Sequence, residues 1–383
     1  MKTGTTLHEL LTEVRRQSAA KRDLLANTRE QLRMVEMSEF PDHVALVALQ
    51  PDRSELERFR VSTTAHTQIA AGLNIPWKYY NRLLADHRDL VIQQVNALFE
   101  REPGTRMVRT LDGAVRAFLS DRYRRIDNDT ILAETLPALF DAGGALPANR
   151  IVGSHLAPDH MRIRVVWTAP ELEQTIGTTR DGKPDVVKPG FEIGNSETGC
   201  GTFKLRGFFY RGYCDNGCIW EFGNEMDLSY SRTHLGGRLA AGLGAMELFS
   251  DETKQKDDAA LVAQVTDIMR AIGTAEFSQK MGDTLRALKG GAQIEEPAKA
   301  IEVLSKAYGL RERETDRVLE NLIRDADYSR WGALNAVTAV SNREDVTEER
   351  ALELQDLGAQ LISMQMNQWS SIARAGVLVE RAA

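Results

Sequence analysis

Residues 191–220, FEIGNSETGCGTFKLRGFFYRGYCDNGCIW, constrain the fold of this 383-residue chain more than any other stretch. A polar, turn-forming cluster, Asn195-Ser196-Glu197-Thr198-Gly199, precedes a strand-like run from Phe203 to Tyr213, and a second polar turn follows at Cys214-Asp215-Asn216-Gly217-Cys218. Asn, Asp, Ser and Gly tolerate or stabilise turn backbone, so the strand is bracketed at both ends. A sheet is therefore required, with carboxylate, amide, hydroxyl and thiol groups at its two ends.

A second sheet signal lies upstream. Met107–Leu111 and Ala114–Leu119 are strand-like and separated by Asp112-Gly113, which favours a type I′ hairpin turn. Residues 43–49 read as a buried strand, 150–168 as strand and 170–190 as a loop, on the strength of Gly182, Pro184, Pro189 and Gly190. Helical spacing of Leu7, Leu10, Leu11 and Val14 predicts one helix over 5–35. Ser62-Thr63-Thr64 supplies N-caps to a helix–turn–helix outline over 64–84. There Asn74 takes the left-handed turn position, Pro76 opens the second helix, and Tyr79, Tyr80 and Leu83 form its inward face. Residues 127–140 read as helix. From Leu235 the pattern is helical, with Gly309 a C-cap and Trp331 and Asn335 on a packed helix. The fold class is thus α+β: a central, largely antiparallel sheet with flanking helices and a mostly helical C-terminal region. The divisions are an N-terminal helix over 1–40, an α+β core over 41–240 and a helical region over 241–383.

Composition narrows the setting. The net charge of −7 argues against a surface coated in basic residues for duplex DNA. Three cysteines are too few and odd in number for a disulfide framework, and no apolar run approaches a membrane span. With no signal-peptide pattern at the start, the expectation is a soluble, cytoplasmic protein with no membrane partner and no cofactor.

Three chemistries are weighed on the residues themselves. Cys200, Cys214, Cys218 and His234 contain a C-x3-C pair, but the first Cys is isolated and the His has no partner nearby, so no metal site is assigned. Glu197, Cys214, Asn216 and His234 are candidate catalytic groups for a phosphate-bearing substrate. Arg232, His234, Gly236, Gly237 and Arg238 form a candidate anion site at a helix start. No Walker A, Rossmann or G-x-S-x-G pattern is present. The hairpin and its exit carry Arg109, Arg116, Arg122, Tyr123, Arg124 and Arg125, a candidate surface for single-stranded nucleic acid. Asp112, Asp121, Asp127 and Asp129 lie close by, so a salt-bridged surface fits the same residues. Strand alternation puts Arg116 and Phe118 on one face, and Arg116 and Arg122 are expected on one basic surface with Tyr123 at its edge.

Taken in order, several segments resemble the DUF932, or phage/plasmid-like, family. They are Arg109-Thr110-Leu111-Asp112-Gly113, Ala117-Phe118-Leu119-Ser120-Asp121-Arg122-Tyr123-Arg124, Asp127-Asn128, Asn195-Ser196-Glu197-Thr198-Gly199, Cys214-Asp215-Asn216-Gly217, His234-Leu235-Gly236 and Trp331-Gly332-Ala333-Leu334-Asn335-Ala336-Val337-Thr338. The resemblance spans about residues 40–345 and implies a mobile-element setting, with no established chemistry to carry over. The expectation is a non-catalytic, single-strand-binding accessory of recombination or replication, with a homo-oligomer compatible. The alternatives are an enzyme acting through Glu197, Cys214, Asn216 and His234, or a structural or anti-host interaction protein whose polar turns serve only the fold.

Overall fold

The computed structural model describes residues 6–37, 43–123, 125–140, 148–157, 159–212, 216–219, 230–232, 251–343 and 345–375. Helix α1 (Leu7–Ala20) opens with a capping box: the Glu9 amide donates to the Thr6 hydroxyl at 3.2 Å, and the Thr6 amide donates back to the Glu9 carboxylate at 2.8 Å. The helix expected over 5–35 stops there. Lys21 turns extended, and the chain runs into β1 (Arg22–Asn27), the single turn α2 (Thr28–Gln31) and β2 (Leu32–Glu36). Leucines and alanines here have good helix propensity, yet pairing with strands distant in sequence supplies the backbone partners and overrides it.

Six strands form the first sheet. To β1 and β2 are added β3 (Val44–Leu49), β4 (Glu55–Val61), β5 (Thr105–Leu111) and β6 (Ala114–Ser120), in the order β1-β5-β6-β4-β3-β2. All neighbours are antiparallel except β4 and β6. The β5–β6 turn has the predicted conformation, with φ of 51° at Asp112 and 72° at Gly113. Between β4 and β5 come α3 (Thr63–Gly72), capped by Ser62, α4 (Trp77–Asp86) and α5 (Arg88–Arg101). Asn74 sits in the left-handed turn at φ 56°. Ile69, Tyr80, Leu83, Val91, Val95 and Phe99 pack on Met34, Leu46, Phe59, Val108 and Phe118, so these helices cover one face of the sheet. Tyr79 instead faces solvent, 49% exposed, because the sheet side of α4 is taken by Tyr80 and Leu83, with Trp77 and Leu84 packed partly against the same core.

The outer edge of the sheet at β2 is closed by a side chain. Asn96 of α5 accepts from the Met34 amide and donates to the Met34 carbonyl, both at 2.8 Å, as a neighbouring strand would.

After β6, α6 (Asn128–Phe140) leads to the second sheet, which contains β7 (Asn149–Leu156), β8 (Met161–Trp167), β9 (Gln174–Thr178), β10 (Pro184–Asn195), β11 (Phe203–Arg211), β12 (Asn216–Ile219) and β13 (Tyr230–Arg232). Its order is β12-β11-β10-β8-β7, with β9 on β10 and β13 on β11. The segment expected as a loop over 170–190 is largely strand. Gly182, at φ 74°, makes the β9–β10 turn, and the Pro-Gly pair 189–190 continues β10, where a Cβ on Gly190 would lie 2.3 Å from the Val165 carbonyl oxygen. Glycine there permits the close approach of adjoining strands.

The C-terminal region is helical: α7 (Asp251–Ile272), α8 (Ala275–Gly290), α9 (Pro297–Tyr308), α10 (Glu312–Asp325), α11 (Arg330–Val340), α12 (Glu348–Ser363) and α13 (Met366–Ala375). Gly309 caps α9 at φ 66°. These helices, α1 and α6 share one core with the inward face of the second sheet, through Leu10, Ile131, Trp167, Phe191, Phe209, Met269 and Trp331. The α+β class and helical C-terminal region agree with the sequence reading, but the strands divide between two sheets. Among the described residues, no helix is long and apolar enough to cross a membrane.

Candidate functional site

The Asn195–Gly199 turn lies where the second sheet meets the first sheet and α6. Its polar side chains are held by hydrogen bonds, except that the Asn195 Oδ1 is buried with no partner among the described residues. The Asn195 carboxamide donates to the Ile126 carbonyl at 2.9 Å and the Asn128 side chain at 2.8 Å. The Ser196 and Thr198 hydroxyls both donate to the Asp159 carbonyl. Gln68 of α3 bridges the two sheets, donating to the Thr198 carbonyl and accepting from the Phe118 amide, each at 2.7 Å. Gly199 has φ 76°, and a Cβ there would lie 2.7 Å from Leu119. The left-handed backbone strains any side chain there, and Leu119 would have to shift to admit one.

Glu197 is the hub. Its carboxylate accepts from the Asn128 amide at 2.7 Å, at the start of α6, where the helix dipole favours negative charge. It also pairs with Arg116 at 2.7 Å and Lys21 at 3.4 Å. Arg109, fully buried, pairs with Asp23 at 2.8 Å and Asp127 at 2.7 Å and donates to the Glu197 carbonyl at 2.8 Å. Lys21 reaches Asp127 at 3.1 Å and Asp129 at 2.9 Å, and Arg125 pairs with Asp23 at 3.1 Å. Four cations thus face four carboxylates. Burial pushes Asp127 and Asp129 toward the neutral acid, but for Asp127 the charges of Arg109 and Lys21, and for Asp129 the bonds from Ser18 and Lys21, more than offset it and lower both pKa values. Burial likewise favours neutral Lys21, and Asp127 and Glu197 outweigh it, raising its pKa. The oxygens of Asp127, Asp129 and Glu197 approach within 4.8 Å of one another, spacing a metal ion would accept. The Lys21 ammonium already occupies that position as a tethered cation.

This geometry corrects the nucleic-acid surface expected on the hairpin. Arg116 is 7% exposed and paired with Glu197, while Tyr123 is 8% exposed and donates to the Ser196 carbonyl at 3.2 Å. Arg109 and Arg116 are internal, Arg125 is exposed but paired, and Arg122 is exposed. Arg124 lies outside the described residues. No surface joins Arg116 to Arg122, because the turn from the second sheet and the start of α6 cover the hairpin where solvent was expected. Nor do Arg116 and Phe118 share a face. The β5–β6 register skips between Arg109 and Thr110, opposite Ala117 and Val115, so Arg116 is the extra residue of a bulge. Phe118 points to the helix-covered core while Arg116 reaches Glu197.

The catalytic grouping is also dispersed. Asn216 pairs with Arg211, which pairs with Val187, whereas Glu197 follows Asn195, eight positions further along β10. At about 3.4 Å per residue these levels lie about 27 Å apart, beyond one small ligand. Cys214 and His234 fall outside the described residues, as do Gly236, Gly237 and Arg238 of the anion candidate. The backbone of Arg232 lies on β13 opposite Phe203, at the Glu197 end. Cys200 is exposed.

Sequence reasoning missed Lys21 and Asp23, hidden in a segment that looked helical, and Gln68, which carries no motif signal. Asp127 and Asp129 were legible in the sequence as possible partners for the hairpin arginines, and Asp127 does pair with Arg109. Two further buried polar networks are built on the second sheet. Burial pushes Glu192 up, but Arg164 at 2.7 Å, Arg206 at 2.8 Å and Arg162 at 4.0 Å hold its carboxyl at about 2. The Trp331 indole donates to Asp185 at 2.9 Å, and Asn335 donates to the Trp331 carbonyl at 2.8 Å. Comparison with known protein families, with curated proteins and with solved structures finds no match to this chain.

Proposed function

We propose that this protein binds single-stranded nucleic acid without catalysing a reaction on it, as an accessory of recombination or replication in a mobile element of the phage or plasmid kind. The observation that carries the reading is a segregation of charge along the chain. Residues 1–125, which hold α1 as well as the first sheet and its helices, carry 20 Lys and Arg against 16 Asp and Glu, a balance of +4. Residues 126–383 hold 28 against 39, a balance of −11. Asp127, Asp129 and Glu197 of the acidic part balance three of the basic charges internally, through Lys21, Arg109 and Arg116, so a polyanion would be met by exposed arginines such as Arg33 and Arg60. The mobile-element setting rests on the DUF932-like segments. The lack of a catalytic role rests on Glu197, whose carboxylate is consumed by Arg116, Lys21 and the start of α6.

The test is fluorescence anisotropy of a labelled oligonucleotide of mixed sequence, titrated with the full chain at low salt. Binding in the micromolar range that weakens steeply with added salt is expected. No binding at tens of micromolar, an order-of-magnitude ceiling for a useful site, refutes the reading.

A further inference from the structure

The three helices between β4 and β5 cover only one face of the first sheet. Register identifies what the other face carries. Met34, Leu46 and Phe59 lie level across β2, β3 and β4 and point into the helix-covered core. Their neighbours in sequence therefore point the opposite way. One cross-strand row there is Arg33–Val47–Arg58, and the next is Val35–Ala45–Arg60, continued by Ala114 of β6. Ala45 and Val47 are buried, while Arg33, Arg58 and Arg60 are all exposed. Arg58 shares its charge with Glu55 at 2.8 Å. Arg33 and Arg60 have no carboxylate partner among the described residues.

We infer that this face of the first sheet is where the phosphates of a single strand are held, an inference that rests on the nucleic-acid reading above. Three features support it. Arg58 and Arg60 stand about 7 Å apart along β4, and Arg33 stands about 10 Å from Arg58 across β3. Flexible guanidinium side chains at these separations can serve neighbouring phosphates of one strand. Ala45 and Val47, 0% and 1% exposed, are closed over between the arginines, so what this part of the face offers a ligand is the exposed guanidinium groups of Arg33, Arg58 and Arg60. The face also presents strands side-on and, among the described residues, no helix or ribbon is raised on it to enter the groove of a duplex. The hairpin arginines, spent on Glu197, Asp23 and Asp127, leave Arg33 and Arg60 as uncommitted charges within the basic region.

The test uses the full chain and two probes, a labelled single strand of about 20 nucleotides and the duplex of the same length. Wild type is compared with Arg33→Glu/Arg60→Glu, with the milder Arg33→Gln/Arg60→Gln, and with Arg313→Glu as an exposed arginine of the C-terminal helices. Far-ultraviolet circular dichroism and thermal melting establish that each variant is folded. The charge reversal is expected to weaken single-strand binding at least tenfold. The glutamine pair is expected to lower the slope of log K against log salt by about 1.4, the loss of two phosphate contacts. Arg313→Glu should bind within about twofold of wild type. Undiminished binding by the folded Glu and Gln pairs overturns the assignment of this face and leaves the functional reading standing. Wild type that binds neither probe overturns both. Wild type that binds duplex as tightly as the single strand overturns the single-strand assignment.

Discussion

Replacing Glu197 with Gln tests whether the Asn195–Gly199 turn is architecture or chemistry. Gln keeps the size of the side chain and an oxygen for the Asn128 amide, and removes only the charge. Lys21 retains Asp127 and Asp129, and Arg109 retains Asp23 and Asp127. Arg116 retains nothing: its side chain is 8% exposed, Glu197 is its counter-charge, and its Nε and Nη2 have no hydrogen-bond partner among the described residues. Removing one partner of a buried pair costs about 3–5 kcal/mol, because the other charge stays buried. Against a typical stability of about 5–15 kcal/mol, that is about a fifth of the whole or more. Arg116→Met should cost less, since Glu197 would keep Lys21 and the start of α6. The double variant should then recover about 2 kcal/mol or more relative to the sum of the single changes. Urea unfolding followed by circular dichroism for the four proteins of this cycle measures the coupling. A Glu197→Gln protein within about 1 kcal/mol of wild type, or strictly additive costs, would refute a structural role for the pair.

Acid should act through His66, whose ring nitrogen Nδ1 contacts the Tyr80 hydroxyl at 2.9 Å; burial, with a contribution from His43, lowers its pKa to about 4. Unfolded chains take up this proton near pH 6.5 and the native state near 4, so stability falls as pH drops through that window, by roughly 3 kcal/mol in all. Urea midpoints at pH 7, 5.5 and 4.5 should show this slope in wild type and lose it in His66→Gln. Asn96→Ala removes both bonds to Met34, should cost about 1–2 kcal/mol, and opens the β2 edge, so size-exclusion chromatography should show self-association. Gly332→Ala would set a Cβ 1.8 Å from the Asp327 carbonyl oxygen and should cost about 3 kcal/mol in a melt. Gly104→Ala, with nothing within 4 Å of its Cβ, should cost much less.

By itself the sequence determined what depends on a few adjacent residues. The Asp112-Gly113 turn, the Ser62 cap, the left-handed Asn74 and the Gly309 cap stand where local backbone preferences put them, because few residue types fit those conformations. Long-range pairing decided the rest. β1 and β2 replace a helix because β5 and β3 offer hydrogen-bond partners that no local pattern reveals. A one-residue bulge turned Arg116 away from the face of Phe118, and a turn about 80 residues later in the chain buried it. Whether an arginine is a ligand-binding surface or an internal counter-charge depends on which carboxylates the fold delivers beside it. For Arg109 and Arg116 those carboxylates come from Asp23, Asp127 and Glu197, brought together only when two sheets close on one helix start.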